Sequence, residues 1–192
     1  MRMMVSVMMS DKVAALAGES TLAANASLSA LPVLALTAVE ISEVRRLLAR
    51  FGLHLEMVPE AASIPGSYWG DSEAGLVGNY IYARRDTPLH SLLHEASHYV
   101  CMDSVRRQAL HTDAGGDFDE ENAVCYLQIV LAEYVQGLGE ERMLSDMDVW
   151  GYTFRLGSAR AWFEQEALSA RQWLQNAGLI DHEMRPMWRV RL

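Results

Sequence analysis

In "HSLLHEASHYV", residues 90–100, His94 and His98 stand four apart and Glu95 follows the first of them. On a helix, residues four apart leave one face a turn from each other, so both imidazoles reach a single ion while Glu95 points along the flank. Two imidazoles and one further ligand leave zinc a position for water, whose pKa the ion brings toward neutrality, and an adjacent glutamate takes the proton as general base. The expected chemistry is zinc-dependent hydrolysis, with His94 and His98 as ligands and Glu95 as the base. His90, one turn earlier, does not complete the set, because three ligands in line on one straight helix do not surround an ion tetrahedrally. It is expected to support the site, or the start of the helix, by hydrogen bonding.

The third ligand must come from elsewhere. A histidine reached through a glycine turn is excluded, since positions 101 and 104 hold Cys and Ser. The run "DFDEENAVCYLQIVL", residues 117–131, supplies Asp119, Glu120 and Glu121 at the start of a second expected helix. Glu120 shares a stripe with Ala123, Val124, Leu127 and Leu131, the side expected to face the core, whereas Glu121 shares a less apolar side with Cys125 and Gln128. Helical phase therefore selects Glu120 as the ligand and keeps Glu121 in reserve. His111, between the two helices, and Tyr99, Tyr126 and Tyr134 are read as a solvated loop residue and core or interface aromatics; any of them would also serve as a transition-state donor.

The elements that must position these groups are legible around them. Val39, Ile41, Val44, Leu47, Leu48 and Phe51 recur at helical spacing, and Gly52 suits a C-terminal cap. "LHLEMV" alternates as a strand does, "IPGSYWGDSEAG" is turn-rich, and "LVGNYIYA" reads as a second strand with an edge open to an extended peptide. "RRDTP" ends that strand and opens the histidine helix, with Asp86 or Thr87 as N-cap and Pro88 in the first turn. Further helices are expected over "EENAVCYLQIVLAEYVQGLG", "EERMLSDMDVW" and "SARAWFEQEALSARQWLQNAG". Residues 1–36 read as a poorly ordered or loosely docked arm, and 37–192 as a single α+β domain, mostly α, with its short β-sheet before the histidine helix.

Composition excludes several classes. The net charge of −9 repels phosphate backbones, so nucleic-acid binding by the bulk surface is not expected. No apolar run approaches the length of a membrane span. "SLSALPVLALTA" follows more than twenty residues that include Asp11 and Glu19, unlike a secretory signal, so a cytoplasmic protein is expected. The two cysteines, Cys101 and Cys125, read as buried free thiols. Arg84 and Arg85 read as a solvated strand end or a substrate carboxylate site, and "HEMRPMWRVRL" as a basic tail for the protein's own acidic surface or for a partner.

"HEASH" with "EENA" resembles the gluzincin pattern, H-E-x-x-H followed by a glutamate in an E-x-x-A helix. Over residues 38–135 the chain is similar, more narrowly, to the small bacterial ImmA/IrrE peptidases, in which a short sheet leads into the zinc helix. That resemblance implies a zincin-like fold, a peptide or protein substrate, and zinc held by His94, His98 and Glu120 with Glu95 as base. The chain departs from the family with Asn122-Ala123 and Tyr126-Leu127, where alanine-asparagine and phenylalanine-alanine pairs are usual. The competing expectation is a non-catalytic zinc-binding regulatory protein with a degenerate peptidase fold.

Overall fold

The computed structural model describes residues 32–67, 72–111 and 113–192. After a 3-10 turn at Leu36–Ala38, helix α1 spans Ile41–Ala49 and buries Val44, Leu47 and Leu48 while its charged face stays in water. Gly52, at φ +77°, reverses the chain into strand β1, His54–Met57. Strands β2, Gly75–Val77, and β3, Tyr80–Ala83, follow. "LVGNYIYA" is thus a hairpin rather than one strand, because Gly78 and Asn79 form its two-residue turn, with Gly78 at φ +58°.

The sheet order is β1-β3-β2, with β1 parallel and β2 antiparallel to β3. β3 is therefore central and offers no open edge, which corrects the strand-addition expectation. The outer strand β2 is itself overlaid by the chain's own Pro65–Ser67. A Cβ on Gly66 would lie 3.0 Å from both Leu76 N and Leu76 O, and one on Gly75 only 2.1 Å from Pro65 O.

Helix α2, Leu89–Cys101, carries the histidines. Its N-cap is Pro88, not Asp86 or Thr87. Those two are occupied one turn earlier: Thr87 Oγ1 accepts from Arg84 N at 2.9 Å, and Asp86 pairs with the Arg84 guanidinium at 2.9 Å. The first amide of α2 donates instead to Leu34 O at 2.8 Å, and Leu34 N donates to the buried Asp146 carboxylate at 2.8 Å. Residues 33–36 are thus docked on the domain, with Leu36 fully buried; the rest of the expected arm, 1–31, lies outside the described residues.

Short helix α3, Ser104–Gln108, is capped by Asp103. Helix α4, Phe118–Ala132, is capped by Asp117, whose Oδ1 accepts from Glu120 N at 2.9 Å. It packs against α2, against α5 at Gly139–Trp150, and against α7 at Leu168–Asn176. The helix expected over 158–178 is two: α6, Ala159–Gln165, ends where Trp162 O accepts from both Glu166 N and Ala167 N and Glu166 swings to φ −120°. The architecture is α+β, mostly helical, with a three-stranded sheet. Among the described residues no helix is long and apolar enough to cross a membrane.

The close approach of Pro65–Ser67 to β2 makes Gly75 a sharp test of this arrangement. Gly75→Ala forces backbone against backbone, and urea unfolding is expected to register a loss of about 1–3 kcal/mol.

Candidate metal centre

Helix α4 is buried on nearly every side, so its contact with α2 is decided by the groups that meet there. The meeting stripe is Glu121, Cys125 and Gln128. His94 Nδ1 lies 2.6 Å from Gln128 Oε1, and His98 Nε2 lies 3.7 Å from Glu121 Oε2. His94 Nε2 and His98 Nε2 are 3.0 Å apart, and the three candidate ligand atoms all lie within 4.8 Å of one another. For zinc with bonds of about 2.0–2.1 Å, neighbouring ligand atoms of a tetrahedron stand about 3.4 Å apart. Two of the separations bracket that value and the third is no more than 4.8 Å, so this donor set suits the ion after a small closing of the carboxylate. His94 and His98 come together as expected from the motif.

Glu120 does not join them. Its carboxylate is held away by Arg106 Nη1, at 2.7 and 2.9 Å from its two oxygens, and by Arg191 Nη1 at 3.2 Å. The acid beside the imidazoles is Glu121, which helical phase ranks second. Stripe polarity misled because α4 has no exposed face for an apolar stripe to oppose; Glu120 and Glu121 are both buried, at 4% and 8% exposure.

Neighbouring groups fix the candidate donors. Gln128 Nε2 points at Met143 Sδ at 3.8 Å, which leaves Oε1 to accept from His94 Nδ1–H and so directs the His94 Nε2 lone pair to the cluster. Gly116 N donates to Glu121 Oε1 at 3.0 Å, turning Oε2 toward the imidazoles. That loop also needs glycine for contact, since a Cβ on Gly116 would lie 2.7 Å from Glu120 Oε1. Tyr152, in the loop after α5, packs its ring edge-on to His94, centroids 5.9 Å apart. His98 Nδ1 has no partner among the described residues.

Burial sets the protonation of this cluster. It pushes His98 down to about 4, so the imidazole is neutral and its nitrogen free to ligate at neutral pH. Glu95, half-buried, is pushed up to about 8, first by burial and then by the carboxylates of Glu73 and Glu121. Glu73 is anchored beside it by Trp150 Nε1, which donates to Glu73 Oε1 at 3.2 Å. Burial also keeps the Tyr152 hydroxyl protonated far above its usual range.

The remaining expectations fall elsewhere. His90 is fully buried against Trp150, ring centroids 4.9 Å apart, and both its nitrogens lack partners among the described residues, so it is no hydrogen-bonding support for the site. His111 is an exposed loop residue. Tyr99 lies under Arg107, Tyr126 stacks on Phe163, and Tyr134 packs on Trp188. Arg84 is engaged by Asp86 and by Ala62 O at 3.1 Å. Nothing in the sequence marks Tyr152 or Glu73 for the site. Only Gln128 carried a signal, as a buried amide on the same helical side as Glu121. No known protein family, curated protein or solved structure matches the chain.

Gln128→Leu keeps the side chain's bulk but removes the acceptor of His94 Nδ1–H. Zinc affinity, measured by competition with a chromophoric chelator, is expected to fall about 10–100-fold. His90 gives a pH test on the metal-free protein. Burial holds its pKa near 3 against 6.5 for an ordinary histidine, so below 6.5 the unfolded chain takes a proton that the native one refuses, and stability is lost on acidification. In urea titrations of chelator-treated protein, the stability of His90→Phe relative to wild type is therefore expected to grow by about 2 kcal/mol between pH 7.5 and 5.

Proposed function

We propose that the protein is a zinc-dependent peptidase of the gluzincin type, with His94, His98 and Glu121 as metal ligands and Glu95 as general base. The observation that carries this reading is the convergence of two imidazole nitrogens and one carboxylate within 4.8 Å, with Glu95 next in sequence to the first histidine. Zinc bound there would acidify a water molecule and polarise a substrate carbonyl.

Glu95 takes the water's proton and passes it to the leaving amine. In the metal-free protein its carboxyl holds a proton up to about pH 8; a dication alongside favours the carboxylate, the form a base requires. The phenol of Tyr152 keeps its proton and is assigned as donor to the carbonyl oxygen as negative charge develops on it. The substrate is a peptide or a protein. Cytoplasmic residence belongs to the same proposal and is supported by Cys101 and Cys125, which are buried free thiols.

Metal analysis of protein purified without added zinc, followed by digestion of casein and a peptide library with and without chelator, tests the reading. Glu95→Gln is expected to retain zinc and lose about 10²–10⁴-fold in hydrolysis. His94→Ala and Glu121→Ala are expected to lose both. Undiminished hydrolysis by Glu95→Gln overturns the assignment, and stoichiometric zinc with no cleavage of any peptide identifies a non-catalytic site instead.

A further inference from the structure

Glu120, displaced from the ligand role, joins the two helices that must converge. Its carboxylate accepts from Arg106 and from Arg191. Arg106 Nη2 also donates to Ala114 O at 3.0 Å and Gly115 O at 2.7 Å, gripping the loop whose next amide, Gly116 N–H, bonds Glu121. Arg191 reaches the other helix. Its backbone N–H donates to Val100 O at 2.9 Å, and its Nη1 donates to Cys101 O at 3.3 Å as well as to Glu120 Oε2.

These carbonyls belong to the last turn of α2, the turn after His98. A helix end leaves its final carbonyls without partners inside the helix and favours cations. Arg107 completes the capping with bonds to Tyr99 O, Met102 O and the Arg191 carbonyl. Arg191 is held in turn by the face of Trp173, 4.9 Å from its guanidinium carbon. One arginine thus ties the histidine-bearing helix to the residue next to Glu121.

We propose that Arg191 is a positioning residue of the metal centre: acting through Glu120, it sets the distance between the Glu121 carboxylate and the His94–His98 pair. This rests on the zinc reading above. The residue is remote in sequence and touches none of the three ligands, so its effect is on the register of α2 against the first turn of α4.

The test compares wild type with Arg191→Ala, Arg191→Lys and, as a control, Arg185→Ala, whose side chain pairs with Asp181 and Glu183 on the surface. Zinc affinity is read by chelator competition, and metal-free melting temperature is recorded alongside. Arg191→Ala is expected to weaken zinc about 10–100-fold, Arg191→Lys to recover part of that loss, and Arg185→Ala to match wild type. A lower melting temperature for Arg191→Ala with zinc affinity within twofold of wild type overturns the proposal, since the strap would then only stabilise the fold. If Arg191→Ala does not fold, Glu120→Gln, which keeps the shape and removes the charge, must show the weakened affinity, and unchanged affinity overturns the proposal equally. A wild-type chain that binds no zinc removes the zinc reading and this inference together; wild-type binding with Arg191→Ala equal to it removes this inference alone.

Discussion

The contact between α2 and α4 is made partly by groups that water would otherwise keep. His98, Glu121 and Gln128 are all buried at this contact, where an ordinary helix pair would interlock aliphatic side chains. Each polar group costs free energy to desolvate unless it finds a partner. The aliphatic residues around the stripe, among them Leu92, Leu93, Ala96 and Val100 on α2 and Ala123, Val124 and Leu127 on α4, supply the burial that offsets this, at about 1.5–3 kcal/mol for each large side chain. The site is therefore a polar seam held shut by an apolar surround. Its geometry follows the register of two helices rather than the flexibility of a loop.

That register explains what could be read in advance and what could not. His94, Glu95 and His98 were legible because their relation is internal to one helix: a spacing of four fixes a common face whatever lies opposite. The third candidate donor depends on which face of α4 meets α2, and a helix buried on nearly every side carries no amphipathic signal to say so. Glu120 and Glu121 differ by about 100° around the axis, and the face of α4 that turns Gln128 to His94 and Glu121 to His98 separates them. The helix start at Leu89 was misjudged by a residue or two because Thr87 and Asp86 have competing local partners. The break between α6 and α7 left no glycine or proline to announce it. Tyr152 and Glu73 were illegible for another reason: they reach the site from loops, and their place depends on how α5 and the chain before β2 lie against α2.

The cluster's electrostatics point the same way as its geometry. Without an ion, burial first and then the nearby carboxylates of Glu73 and Glu121 keep a proton on Glu95 at neutral pH. Beside them are two imidazoles, one held neutral by burial and the other turned by Gln128 to present a bare nitrogen. Arg106 and Arg191 make their ion pairs one residue away from Glu121, on Glu120.

This division of labour between adjacent glutamates is the most informative feature of the chain. Glu120 takes two guanidinium groups and becomes part of the frame; Glu121 takes one backbone N–H from Gly116 and keeps an oxygen toward the imidazoles. Had the arginines lain on the other side of α4, Glu121 would be neutralised and the cluster would lack its third donor. A buried carboxylate 3.7 Å from His98 Nε2, with His94 Nε2 a further 3.0 Å away, is poorly explained as packing, because aliphatic residues of similar volume often hold such a seam at least as well. A cation held between the three groups, as proposed above, would account for the arrangement.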